Sequence, residues 1–464
     1  LKQLKKIPKR IWADLRTDNS FIQNFAYLFS ASALGSLIQF AFFPILSRIY
    51  SPEAYGIFGL FAAFSGTLAL IAGANLSRAF VLPEKEEDFK ALLHTSIRLS
   101  FWFSFLVFII SIVASEPILR AFDAQAMGNW IYLLGPAVFL IALDRILIDW
   151  SVRQKAFKAF ATYTIPTALG TKIFNVLYGM TISNRASGLI ITYFINYFVR
   201  CYLYLRYIIS GSSETLKSRP SASERKRVFK NYKDFSYYLL PGNFLNNFSG
   251  QIPIFFLPVF GMSIIQVGIY TFSLLLLDLP VRLLSSAIGP VLLQKSAETS
   301  REGLTKLAEI CWRLYRNLLF ISFFFILVLY VAGEDIYIIA FGEKWAEAGA
   351  IAGVLGLGYY LRIASSPLSS VIGVIRKEKQ LFYFQVTLFL LRVVSLSLGY
   401  ITHGPDLYHI MVYYTIGNVL AYILLALWVF KLLKFPLWRV IILSSMSLLL
   451  LVLLGEGIKL WLRV

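Results

Sequence analysis

Six basic side chains lie deep inside apolar stretches of this chain: Arg78, Lys172, Arg200, Arg282, Arg362 and Arg392. Each stretch is long enough to cross a bilayer, where an unpaired Lys or Arg costs about 2.5–3.5 kcal/mol on insertion scales. Only two acids, Asp144 and Asp278, sit at comparable depth, so the sequence predicts that most of these cations lack a fixed counter-charge. Such a set could line a wet, cationic cavity, and the natural occupant of such a cavity is an anion. Arg78 lies nearer the end of its run, where snorkelling could rescue it. Arg48 follows Pro44 at the end of the first run and could guard an exit.

The local surroundings of these residues refine the picture. Asp278 and Arg282 are four apart, a spacing that allows pairing on one helix face, with Pro280 between them. That pair could simply neutralise itself to ease insertion, or Asp278 could serve as an ion-coupling carboxylate. Arg362 stands in a small and polar segment with no acid nearby in sequence, which favours cavity lining. Asp144, Arg145 and Asp149 form a cluster readable as structural or as an inner gate. Gln39, Asn243, Asn246, Asn247 and Gln251 could hydrogen-bond hydroxyl groups of a ligand or glue helices together.

Catalytic and metal chemistry find little support. There is no Walker-type glycine-rich loop, the three histidines are scattered, and no His, Cys or carboxylate group has metal-ligand spacing. Cys201 and Cys311 read as buried small hydrophobes. The sequence thus calls for no cofactor, no metal and no enzyme.

The elements that must position these residues are membrane helices. The 464 residues are 58% hydrophobic and 15% charged, with a mean hydropathy of +0.69, which excludes an ordinary soluble protein. Apolar runs predict spans over 21–46, 55–81, 93–115, 128–150, 160–182, 187–209, 235–260, 268–292, 307–332, 348–372, 381–402 and 408–430. A further run over 440–455 is short and fits either a tilted thirteenth helix or an interfacial hairpin. No cleavable signal precedes the first span, and Leu4, Ile7, Ile11 and Leu15 could give the N-terminal arm an apolar face.

A net charge of +19 could suggest nucleic acid, but the basic residues cluster in short loops between spans, so no nucleic-acid partner is expected. The arm before the first span and every second loop are rich in Lys and Arg. The alternate loops hold only Arg48, Arg120, Arg185 and Lys344. That asymmetry assigns the basic side, with the N-terminus, to the cytoplasm. The expected organisation is a basic arm (1–20), a six-helix bundle (21–210), a basic cytoplasmic linker (211–234), a second six-helix bundle (235–433) and a hydrophobic C-terminal segment (434–464).

The halves resemble each other in register. Gly35 followed by Phe42-Phe43-Pro44-Ile45-Leu46 matches Gly250 followed by Phe256-Leu257-Pro258-Val259-Phe260. Tyr55-Gly56-Ile57-Phe58 matches Val267-Gly268-Ile269-Tyr270, and Ala121-Phe122 with Gly128 matches Ala340-Phe341 with Gly349. Chance similarity among apolar helices is the competing explanation. A repeat of six spans implies two bundles related by an axis along the membrane normal, with one site between them. The helices opening each half carry the breakers, Gly35 and Pro44 in one and Pro241, Gly242, Gly250, Pro253 and Pro258 in the other. They read as bending gates or as static kinks.

Three segments carry a resemblance. Phe43-Pro44-Ile45-Leu46-Ser47-Arg48-Ile49-Tyr50-Ser51-Pro52-Glu53-Ala54-Tyr55-Gly56 resembles the early motif of Wzx-type polysaccharide flippases of the multidrug/oligosaccharidyl-lipid/polysaccharide (MOP) superfamily. Phe341-Gly342-Glu343-Lys344-Trp345-Ala346-Glu347-Ala348-Gly349 and Ser365-Ser366-Pro367-Leu368-Ser369 resemble the stretches before and within their tenth helix. The resemblance implies an all-α integral membrane fold of about twelve helices, as two pseudo-symmetric bundles around a central cationic cavity. It implies an undecaprenyl-diphosphate-linked oligosaccharide (O-antigen, capsule or exopolysaccharide repeat unit), moved by alternating access from the inner to the outer leaflet of a bacterial inner membrane. Arg282 and Arg362 would hold the diphosphate, with Lys172, Arg78 and Arg48 as weaker candidates and Asn247 and Gln251 toward the sugar. Membrane lipids, a polysaccharide polymerase and assembly proteins are the implied partners. A drug or cation antiporter of the same superfamily, and a membrane glycan polymerase or ligase, are the alternatives.

Overall fold

The computed structural model describes residues 21–154, 157–217, 220–300, 303–375 and 377–463, and no strand occurs among them. The basic arm over 1–20 lies outside the described residues, as do Lys155, Arg219, Arg301 and Arg376 of the basic loops.

Thirteen long helices follow one another. The first half holds α1 (Phe21–Ile49), α2 (Pro52–Ala72), α3 (Glu86–Val113), α4 (Leu134–Arg153), α5 (Phe157–Thr181) and α6 (Ala186–Lys217). The second half holds α7 (Leu240–Val259), α8 (Ile264–Ser300), α9 (Leu304–Phe341), α10 (Ala346–Ser365), α11 (Glu378–His403) and α12 (Leu407–Leu432), and α13 (Leu437–Arg463) ends the chain. Among the described residues, ten helices are long and apolar enough to cross a membrane, α13 included. Of the other three, α1 is apolar over Leu34–Ile49, while α5 and α7 are less apolar. In α7 the dilution comes from Asn243, Asn246, Asn247 and Gln251, polar groups that a lipid-facing helix would not carry. The C-terminal run is one continuous helix, which rules out the hairpin alternative.

Each half packs mainly within itself: α1 on α5, α4 on α2, α3 and α6, and then α9 on α10, α12 on α10 and α11, and α7 on α11. The halves touch through α1 and α2 on one side and α7, α8 and α9 on the other. In lipid, apolar burial gives helices little reason to associate, so close backbone approach and interhelical hydrogen bonds carry the packing. Gly56 and Gly268 provide that approach where α2 meets α8. A Cβ on Gly56 would fall 2.0 Å from the carbonyl oxygen of Ile264, and one on Gly268 only 1.8 Å from that of Pro52.

The start of α2 is written locally. The Ser51 hydroxyl accepts from the Ala54 amide at 3.2 Å, Pro52 fills the first turn where no N–H is needed, and Glu53 complements the helix dipole. The segment between the halves departs from a plain polar linker. Helix α6 runs to Lys217, past the expected boundary at 210, and Ala222–Asn231 forms a helix of its own. Ser221 and Glu224 close a capping box at its start, which holds the Glu224 carboxyl below the usual carboxylate range. That helix docks on α3 through the buried Val228 and an Arg227–Asp88 ion pair at 2.6 Å.

At 38 residues, α9 would extend about 57 Å, well beyond a hydrocarbon core of about 30 Å. Its excess length, carrying Lys306, Arg313 and Arg316, lies toward the basic loops.

Candidate functional site

A polar cavity of about 210 Å³ lies inside the second half. Five helices build it, each from one face. Helix α7 gives Asn246, Asn247, Gly250 and Gln251, and α8 gives Tyr270, Leu274 and Asp278 at four-residue intervals. Helix α10 gives Leu355, Gly358, Tyr359 and Arg362, α11 gives Arg392, and α12 gives Tyr414, Thr415, Asn418 and Tyr422. Among the described residues the lining comes from the second half, so the cavity lies within one bundle rather than between the two.

Arg392 anchors the floor. It is 4% exposed, and its guanidinium donates to Asn418 Oδ1 at 2.9 Å, Ser249 Oγ at 2.9 Å and Tyr422 Oη at 3.1 Å. All three acceptors are neutral, and among the described residues no carboxylate pairs with it. The hydrogen bonds fix the fork in place but leave the charge uncompensated, and burying an ion costs several kcal/mol. The field of this cation therefore falls on the cavity.

Arg362 lies above it, with its guanidinium 4.8 Å from the Tyr359 ring centroid and Nη1 3.5 Å from Asp278 Oδ1. Asp278 also accepts from the Tyr359 hydroxyl at 2.8 Å, and its Oδ2 lies 3.7 Å from Arg282. The expected i,i+4 pair of Asp278 and Arg282 is thus present, while Arg362, expected to have no acid nearby, shares the same carboxylate. That acid comes from another helix 84 residues away, a contact that sequence spacing does not reveal. The four tyrosines of the cavity were not among the expected site residues, and Arg392 was expected only as one of the six deep cations. Tyr414, Asn418 and Tyr422, at i, i+4 and i+8, were the available signal.

The other candidates are placed elsewhere. Lys172 on α5 is half-buried and faces the Phe43 ring of α1, 5.6 Å from its centroid, with no ion pair among the described residues. Arg78 was expected inside a span over 55–81, but α2 ends at Ala72. Arg78 lies beyond it in the turn Leu76–Ala79, 65% exposed and paired with Asp149 at 3.4 Å, to which Ser77 also donates at 2.6 Å. Arg200 pairs with Asp144 at 3.1 Å. Four of the six deep cations therefore have a carboxylate within ion-pair reach, which corrects the expectation that most lack one. Asp144 and Asp149 have different ion-pair partners, Arg200 and Arg78.

Arg48 belongs to a second constellation, at the charge-poor end of the bundles. Its side chain is exposed, but its carbonyl accepts from Lys344 Nζ at 3.2 Å, and Tyr50 O accepts from the same amine at 2.9 Å. Trp345 Nε1 donates to Ser47 O at 3.0 Å, and Ser47 Oγ to Phe341 O at 3.2 Å. The Trp345 ring stacks on Phe272 at 3.7 Å and meets Tyr55 edge-on at 5.3 Å. Two of the motif segments, over 43–56 and 341–349, thus meet and close a seam between the halves. The cavity reaches toward the first half at one point, where Thr67 on α2 donates to Asn247 Oδ1 at 3.5 Å.

Known proteins resemble this chain in sequence or in fold. The family described as polysaccharide biosynthesis protein matches residues 45–350. The succinoglycan biosynthesis transport protein ExoT of Rhizobium meliloti (strain 1021) is 22% identical over 330 residues, covering 69% of this chain. The match spans 62% of that relative's own length. Among solved structures, the lipid II flippase MurJ in its inward closed conformation aligns with a TM-score of 0.68 at 15% identity, over 94% of this chain and 93% of that one. An inward-facing multidrug resistance MATE family transporter of the MOP superfamily aligns with a TM-score of 0.67 at 14% identity, over 91% and 98%. The family match covers more than half of the sequence, and the chain therefore belongs to the polysaccharide biosynthesis protein family, as an all-α, multi-pass membrane protein with the fold of MOP-superfamily transporters.

Proposed function

We propose that this protein is a flippase for a lipid-linked oligosaccharide, carrying its diphosphate and sugar through the bundles by alternating access while the lipid tail stays in the bilayer. The observation that carries this reading is the second-half cavity, where Arg362 and Arg392 face a wall of tyrosine hydroxyls and side-chain amides. Arginine forks suit phosphate oxygens, and the hydroxyls and amides of Tyr414, Tyr422, Asn247 and Gln251 suit a polyhydroxylated ligand. Arg282 joins Arg362 as a diphosphate ligand at the cavity edge. Lys172, Arg78 and Arg48, outside this cavity, would be secondary contacts for the anion.

The orientation in this reading follows the loop charges, with the basic side cytoplasmic in a bacterial inner membrane and the seam on the outside. Translocation then runs from the inner to the outer leaflet. An inside-negative potential favours that direction for an anion by about 2.3 kcal/mol per charge per 100 mV. A polymerase acting on the outer face would consume the product. The protein itself makes or breaks no covalent bond.

The test is genetic and chemical. A strain whose only copy carries Arg362→Gln should lose surface glycan by at least about tenfold and accumulate lipid-linked oligosaccharide on the inner leaflet, with the variant present at normal level in the membrane. A charge requirement of about 1.4 kcal/mol already corresponds to that factor. Undiminished export by a variant lacking both Arg282 and Arg362 charges would overturn the diphosphate clamp.

A further inference from the structure

The cluster around Asp278 is unbalanced in a way that a static salt bridge does not explain. Three arginines, Arg282, Arg362 and Arg392, stand at or beside the cavity with one carboxylate among them. Charge-assisted bonds run about 2.7–2.9 Å. The two arginine contacts to Asp278, at 3.5 and 3.7 Å, are looser than that, and the neutral Tyr359 hydroxyl at 2.8 Å is its firmest partner. Arg282 is 62% exposed and Asp278 28%, so neither side chain is enclosed by protein. Arg392, by contrast, is immobilised by three hydrogen bonds and has no carboxylate among the described residues. The site therefore combines one fixed cation with two that are only lent to an acid.

We infer that Asp278 is a built-in substitute for the anionic group of the substrate, engaging Arg282 and Arg362 in its absence and yielding them to the incoming diphosphate. This rests on the flippase reading above and assigns Asp278 the setting of affinity. The charges fit. Three arginines and one carboxylate leave two positive charges, and a diphosphate esterified at both ends carries two negative ones. Tyr359 makes the exchange inexpensive, since it keeps the carboxylate hydrogen-bonded after the arginines turn away. Asp278 then lies beside the bound diphosphate and repels it. That repulsion prevents the three cations from holding their cargo too long, because a transport site must bind weakly enough to release.

The experiment uses the purified full-length chain in nanodiscs, with farnesyl diphosphate as the probe and farnesol as the uncharged control. Asp278→Asn should bind the diphosphate about tenfold more tightly than the unaltered protein and turn over lipid-linked oligosaccharide more slowly. Tyr359→Phe should act in the opposite sense, weakening binding about threefold, because a carboxylate deprived of its hydroxyl partner clings harder to the arginines. The double variant should match Asp278→Asn alone, since the hydroxyl acts only through the carboxylate. The Tyr359→Phe measurement decides the matter even if Asp278→Asn fails to accumulate. If Arg362→Gln loses binding but Asp278→Asn binds no tighter, or Tyr359→Phe no weaker, the exchange is wrong and the flippase reading stands. If no form of the protein prefers farnesyl diphosphate to farnesol, the diphosphate reading falls and this inference with it.

Discussion

Arg200 in the first half and Arg392 in the second are both arginines placed within a bundle, yet their surroundings differ. Arg200 is matched by Asp144, which is 5% exposed in its side chain and 3.1 Å away, so one charge cancels one charge. Arg392 has hydroxyl and amide oxygens instead, and its neighbours Arg362 and Arg282 divide a single Asp278 between them. The first half spends an acid on silencing its cation, and the second leaves cationic charge facing a cavity. The same residue type thus holds helices together in one bundle and presents an electric field in the other. The acids nearby, more than the arginines themselves, separate the two uses.

The comparison can be broken at its strongest point by removing Asp144. Asp144→Ala strands Arg200, and losing one partner of a buried pair costs about 3–5 kcal/mol, so the lower end applies to an arginine 22% exposed. Thermal unfolding in detergent should show a clear drop, largely restored when Arg200→Met is added. A double variant as unstable as the single one would mean that the pair does not act as a unit. In the second half, Arg392→Met should lower stability by about 1–3 kcal/mol, the cost of leaving Ser249, Asn418 and Tyr422 without their donor. Binding of farnesyl diphosphate should nevertheless be lost, measured on the folded fraction, because the field is gone. Retained binding would show that the second half does not present its charge. The smallest effect is expected at Lys172, the first-half member of the six cations singled out in the sequence that has no ion pair among the described residues. Lys172→Gln should change oligosaccharide export by less than about threefold, roughly 0.6 kcal/mol. A loss as deep as that of Arg362→Gln would mean that the first half presents charge as well.

Much of the fold was legible because membrane helices are long, apolar and punctuated. The helices carrying Arg282, Arg362 and Arg392 overlap the spans expected over 268–292, 348–372 and 381–402. The span expected over 55–81 is instead a helix over Pro52–Ala72, whose Ser51-Pro52-Glu53 start was legible but not used. The helix over Ala222–Asn231 was legible too, since Ser221 and Glu224 stand at capping-box spacing, but the Ser-rich and basic composition around them masked it. The site was readable by residue type and not by partnership. Spacing within one helix brought out Asp278 with Arg282. The approach of Arg362 to the same acid depends on how α8 packs against α10, and the hydrogen bonds of Arg392 depend on α7 and α12. A hydropathy pattern specifies that a helix crosses the membrane, but the direction each polar face turns is set by tertiary packing.

The seam has a lopsided grammar. The side chains of Lys344 and Trp345 donate to main-chain oxygens of Ser47, Arg48 and Tyr50, and every residue type supplies such an oxygen. The grip of Lys344 and of the Trp345 indole N–H is therefore indifferent to the side chains that face them, although the buried Ser47 adds its own bond to Phe341 O. The exposed Arg48 side chain can change freely as long as the path of α1 is kept, whereas Lys344 and Trp345 cannot be exchanged without loosening the grip. Random mutagenesis for a leaky seam should accordingly return many hits in the 341–349 segment and few substitutions at Arg48 facing it.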